Sequence, residues 1–132
     1  MKLWFSRILI GFVLFFNLQC AAAFIIRPEL YTGGFELQGA VGEAMVRGLG
    51  VLFVMWNVPY ALALWHPVRF RVSLYEAVVM QLIGVVGESA ILWLLPGEYP
   101  IARSSILRFI AFDAGGLIAL LIAAWITRPK KF

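Results

Sequence analysis

Ile106 to Ile126 reads ILRFIAFDAGGLIALLIAAWI, an apolar run broken by two charges, Arg108 and Asp113, both in its first half. It reaches the roughly 20 residues that an α-helix needs to cross a hydrocarbon core of about 30 Å. Three similar stretches precede it: Ile8 to Ile26, Met45 to Leu64 and Val72 to Leu95. A bilayer offers backbone groups no hydrogen-bonding partner, so each stretch is expected as a helix, which pairs its own N–H and C=O groups. None shows the period-two alternation of a membrane β-strand. The expected fold is all-α: a polytopic integral membrane protein built as an antiparallel up-down bundle of four transmembrane helices. With 132 residues and 63% of them hydrophobic, four spans leave no room for a soluble domain, so 1–132 is read as one membrane domain.

The charges between the spans are sorted by sign. Lys2, Arg7, Arg69, Arg71, Arg128, Lys130 and Lys131 flank one face, where Glu76 is the only nearby acid. The other face carries Arg27, Glu29, Glu36 and Glu43, with Arg47 just inside the second span, and Glu98 and Arg103. The positive-inside rule therefore places both termini in the cytoplasm of a plasma or inner membrane. Trp4, Trp65 and Trp125 fit the cytoplasmic interface and Trp93 the outer one, whereas Trp56 falls mid-span and is read as packing. The net charge of +4 resides in cations that flank spans, so the expected partners are anionic lipid headgroups and not nucleic acid. Lys2, Arg7 and Ala21 to Ala23 outline a secretory signal. The apolar run continues through Phe24, Ile25 and Ile26, which favours a retained anchor.

Arg27 to Gly42 is the longest connection, interrupted by Pro28, Gly33, Gly34, Gly39 and Gly42. Tyr31, Phe35 and Leu37 suit it to rest on the outer interface. The turns at 65–71 and 96–100 are short enough to make the helices on either side neighbours.

Within the spans, polar and small residues recur at helical spacing: Glu43, Arg47, Gly50 and Asn57; Ala77, Gln81, Gly84 and Glu88; Asp113, Gly116 and Ala123; Asn17 and Cys20. Such stripes let helices pack closely and hydrogen-bond to one another. Glu88 precedes Leu95 by about seven residues and Asp113 follows Ile106 by as many, which at 1.5 Å per residue sets both about 10 Å deep. Arg47 and Arg108 lie nearer the surface, and Glu43 precedes Arg47 by one helical turn, a favourable acid-to-base spacing. Charges in hydrocarbon normally face protein or water and have partners. Glu43, Arg47, Asn57, Gln81, Glu88, Arg108 and Asp113 thus form the candidate intramembrane polar cluster. It reads either as a compensated ion cluster holding the bundle in register, or as a small polar pocket in which the two acids share a proton.

No catalytic or metal site is read. His66, the only histidine, precedes Pro67 in a turn, and Cys20 has neither a second cysteine nor a nearby base. No phosphate-binding glycine loop is present, and no nucleophile and base can be paired, so an enzyme is not expected. No cofactor is identifiable either. Phe12, Phe15, Phe16 and Phe53 suit contact with lipid tails, a quinone, a pigment or another subunit.

Four spans in so short a chain, Arg47-Gly48-Leu49-Gly50 opening the second helix, and Arg108-Phe109-Ile110-Ala111-Phe112-Asp113-Ala114-Gly115-Gly116 opening the last together resemble the DoxX-like small membrane proteins. The resemblance implies a place beside a quinone-linked respiratory or redox complex and assigns no catalytic residue. Two functions are expected on these grounds. The first is a small non-catalytic subunit or assembly partner of a larger redox or energy-converting membrane complex. The alternative is a carrier or binding protein for a small amphiphile such as a quinone or lipid, using Arg47, Glu88, Arg108 and Asp113.

Overall fold

The computed structural model describes residues 1–129, so Lys130 and Lys131 lie outside the described residues. Among these residues five α-helices follow one another: α1 (Lys2–Ile26), α2 (Gly39–Trp56), α3 (Val58–Trp65), α4 (Arg71–Leu94) and α5 (Pro100–Ile126). No strand occurs among the described residues. Four segments are long and apolar enough to cross a membrane: α1, α2 and α3 taken together, α4, and α5. Length and composition together make this a membrane protein. The helices begin ahead of their apolar stretches, at Lys2, Gly39 and Pro100, because helical pairing continues wherever the backbone can sustain it. Pro100 suits a helix start, where its missing N–H would find no partner anyway.

The second span is interrupted, a feature not expected from its hydropathy. Pro59 has no N–H for the Met55 carbonyl, and its ring pushes against that turn. The backbone N–H of Asn57 turns instead to the Val54 carbonyl at 3.2 Å. The Asn57 side chain then takes over the carbonyl left behind, its Nδ2 donating to Phe53 O at 2.6 Å. Its Oδ1 accepts from Asn17 Nδ2 of α1 at 3.0 Å, which anchors the break to the neighbouring span.

This break decides the packing. Below it, α3 packs on α1 and α4; above it, α2 packs on α1 but makes no extended contact with α4 or α5. The continuous apolar core consequently fills only the α3 half, where Ile10, Val13, Leu14, Tyr60, Ala63, Leu74, Ala77, Leu120 and Ala123 are buried together. In the other half α1 and α2 meet closely at Gly50, where an added Cβ would stand 2.8 Å from the Ala21 carbonyl oxygen. A larger residue there would force the two helices apart.

Each span ends on an arginine from a different helix. Arg47 Nε of α2 donates to Ile25 O at the end of α1 (3.2 Å), and Arg7 Nε of α1 to Leu64 O at the end of α3 (3.0 Å). Arg103 Nη1 of α5 donates to Leu92 O and Leu95 O at the end of α4 (3.1 and 2.6 Å), and Arg71 Nη2 of α4 to Thr127 O just beyond α5 (2.8 Å). The last carbonyls of a helix lack intrahelical donors and carry its negative dipole end, so a guanidinium satisfies both needs.

Between α1 and α2, two 3₁₀ turns (Pro28–Leu30 and Thr32–Phe35) fold the connection onto the start of α5. Glu36 takes a left-handed conformation (φ 56°), unusual for a residue with a side chain. Its Oε2 accepts from the Ala102 N–H at 3.1 Å, placing a carboxylate at the positive end of α5. Ser105 Oγ donates to Gly34 O at 2.6 Å and ties the same segment down a second time.

Candidate functional site

Because α2 leans away from α4 and α5, their upper halves enclose space instead of core. A cavity of about 950 Å³ lies there, walled by α1, α2, α4 and α5 and roofed by the 28–35 turns. Its upper wall is aromatic. Phe24 is within 5.0 Å of Tyr31, 5.8 Å of Phe35 and 5.9 Å of Phe53 between ring centres, and Phe35 stacks on Phe109 at 6.0 Å. Phe16 and Phe112 meet at 6.0 Å on the α1–α5 side. Trp56 of α2 and Ile83 and Ile91 of α4 line the cavity yet stay 49%, 64% and 55% exposed, so the space opens sideways between these two helices.

The floor is polar and closely ordered. Tyr60 OH donates to Gln81 Oε1 at 2.6 Å, and Gln81 Nε2 donates to Asp113 Oδ1 at 2.9 Å. This chain fixes the amide orientation, since the phenol supplies the proton to the carbonyl side and leaves the NH₂ for the carboxylate. Glycines create the room: a Cβ on Gly84 would collide with Asp113 Oδ2, and one on Gly116 would stand 2.7 Å from Gln81 Nε2. Asp113 is thereby seated against Gly84, while Glu88 lies a helical turn further along α4, about 6 Å of rise. The two acids are staggered along the cavity wall. Glu88 Oε2 is buried and has no hydrogen-bond partner.

The seven residues of the predicted cluster divide. Asn57, Gln81, Glu88, Arg108 and Asp113 line the cavity. Glu43 and Arg47 do not, and Arg47 spends its Nε on the α1 terminus instead of on the acid one turn before it. Compensation of the acids by arginine is not what the side chains do: the hydrogen bonds of Arg7, Arg47, Arg71, Arg103 and Arg108 end on carbonyl or hydroxyl oxygens. Arg108, though it lines the cavity, donates through Nη2 to Ser105 Oγ at 2.9 Å. Trp56, expected to be packing, instead stands at the side opening with its ring 5.8 Å from Phe53. Cys20 lines the cavity as a free thiol. His66 has a turn role, its Nδ1 accepting from the Arg69 N–H at 3.1 Å. Among the described residues no three His, Cys, Asp or Glu side chains are grouped to hold a metal ion.

Tyr60, Ser105, Gly87 and the aromatic wall had no place in the predicted cluster. Tyr60 does carry a signal: a phenol in the middle of a span needs a partner for its hydroxyl, and the amide of Gln81 supplies it. The aromatic wall had no such signal, because a phenylalanine facing a cavity and one facing lipid look alike in sequence.

Comparison with protein-family models, with curated proteins and with solved structures gives no significant match.

Proposed function

We propose that the chain is a membrane-embedded binding protein or carrier for a small amphiphile, held in the cavity between α2, α4 and α5. The single observation that carries this reading is the cavity itself. Its volume falls within the roughly 300–1,000 Å³ of small-molecule sites, and its pattern of apolar and aromatic walls with a few convergent polar groups is theirs as well. The side opening gives a lipid-soluble molecule a route from the bilayer without passing through water. In this reading the four spans run up and down as antiparallel neighbours. Both termini are cytoplasmic in a plasma or inner membrane, and the 28–35 turns cover the outer end.

Gly87 supplies the test. It lines the cavity, and a Cβ added there meets nothing within 4 Å, so a large side chain fills the space without disturbing the backbone. Purified in mild detergent, the wild-type protein is expected to carry a stoichiometric small amphiphile, found by organic extraction and mass spectrometry. Gly87→Phe is expected to lose it while keeping its elution volume and melting temperature. Equal amphiphile content in both proteins defeats the proposal.

A second reading, a non-catalytic subunit of a larger membrane complex as the DoxX-like resemblance implies, draws support from α4. That helix has the smallest buried share of the four spans, 11% of its most apolar window, leaving a long face for lipid or another subunit. The same purification decides it: a stoichiometric protein partner is expected there, and a chain that runs alone excludes the subunit role.

A further inference from the structure

Resting on the amphiphile reading, we infer that the cavity selects a lipophilic cation, with the positive group seated between Glu88, Asp113 and the faces of the aromatic wall. Three features converge on this class. First, two carboxylates face a space in which Arg108 is the one basic side chain among the described residues, and no hydrogen bond from it reaches either acid. Arg108 turns its Nη2 to Ser105, and the remaining hydrogen-bonded arginines serve helix ends. Second, the acids differ in what they lack. Asp113 already accepts from Gln81, whereas Glu88 has a buried oxygen with no partner, a demand that a proton or an incoming cation meets. Third, the walls are rings. Phe53, Trp56 and Phe109 line the same space, and the negative face of an aromatic ring attracts a cation, most strongly when water is excluded. An anionic amphiphile would set its charge beside two acids with only Arg108 to offset them, and in a low-dielectric cavity like charges repel strongly. A neutral one would leave the Glu88 oxygen unsatisfied unless it carried a donor. The opening between Trp56 and Ile83 lets such a molecule enter from the bilayer with its apolar part trailing.

The experiment uses two probes of matched size and shape and opposite charge, tetraphenylphosphonium and tetraphenylborate. Equilibrium dialysis is run against the full-length protein in uncharged detergent micelles, and the binding retained by Gly87→Phe is subtracted to remove partition into the micelle. The cation is expected to bind the cavity about tenfold or more tightly than the borate. Glu88→Gln is expected to cut cation binding by a similar factor and to leave borate binding unchanged or raised. Asp113→Asn serves as the second variant should Glu88→Gln fail to fold, and is expected to shift the preference in the same direction. Cavity-specific binding of the borate equal to that of the cation overturns the cationic preference and leaves the amphiphile reading standing. So does cation binding that is indifferent to both acid-to-amide changes. Binding of neither probe, together with an extract that holds no amphiphile, overturns both.

Discussion

Gly84 and Gly87 sit within a turn of each other on α4 and meet different surroundings. At Gly84 a methyl group collides with the Asp113 carboxylate, so Gly84→Ala must push Asp113 out of its bond to Gln81 or shift α5. Overpacking of this kind costs about 1–3 kcal/mol. At Gly87 a methyl meets nothing, and alanine is favoured over glycine in a helix by up to about 1 kcal/mol. Thermal unfolding in detergent is expected to show Gly84→Ala melting below the wild type and Gly87→Ala at or above it; the opposite order refutes the assigned packing. Tyr60→Phe probes the next link. It removes the donor to Gln81 Oε1 and strands that oxygen in a buried place, an effect of about 1–3 kcal/mol by the same measurement. Residue by residue, the sequence pointed to Gln81, Glu88 and Asp113 because ionisable and amide groups in hydrocarbon are conspicuous. Helical spacing put Gly84 in the inward stripe and left Gly87 out of it, yet Gly87 lines the cavity too, since spacing along one helix says nothing of what the neighbouring helix presents.

Helix ends are where the reading from sequence and the structure differ most. Arg47 was paired with Glu43 by local spacing, yet the carbonyls at the end of α1 hold it. Local spacing measures what a residue meets on its own helix, while helix ends gather partners from other spans. Arg103 is the clearest case, with Nη1 shared by Leu92 O and Leu95 O. Arg103→Gln removes the charge at the dipole's negative end together with the best-placed donor, and is expected to cost about 1.5–3 kcal/mol, as for hydrogen bonds to charged groups. Urea or thermal denaturation in micelles checks it, and a change indistinguishable from zero means that water serves those carbonyls equally well. The other element-scale feature is the break at Asn57. Pro59 was in plain view, but hydropathy averages over the whole span and does not register a lost hydrogen bond. Pro59→Ala restores an N–H for Met55 and should draw α2 toward α4, narrowing the cavity opening. Spin labels at Leu52→Cys and Val86→Cys, both exposed positions, in a Cys20→Ser background are expected to report a shorter distance in Pro59→Ala than with proline present. An unchanged distance would mean that Asn57, through Asn17, holds the bend without the proline's help.

At the scale of the molecule, four apolar runs were enough to read an all-helical membrane protein, because length and hydropathy set spanning capacity directly. The cavity was not legible in the same way: it depends on α2 leaning off α4, a tertiary outcome of one weak point in one helix. Orientation rests on the proposal that Lys2, Arg7, Arg69, Arg71 and Arg128 keep their end of the bundle in the cytoplasm, since moving such clusters across the bilayer is opposed during insertion. Hydrogen bonds already gather Arg7 with Leu64 and Arg71 with Thr127 at that end, and Arg103 with Leu95 and Glu36 with Ala102 at the other. Single cysteines at Leu37→Cys and Val68→Cys, again without Cys20, mark the two ends at exposed loop positions. In intact cells a membrane-impermeant maleimide is expected to modify the cysteine at 37 and to reach the one at 68 only after permeabilisation. The reverse pattern would invert the molecule, placing the 28–35 turns and the roof of the cavity on the cytoplasmic side. Partial labelling at both sites in intact cells would mean that the chain inserts both ways, with the charge bias too small to choose between them.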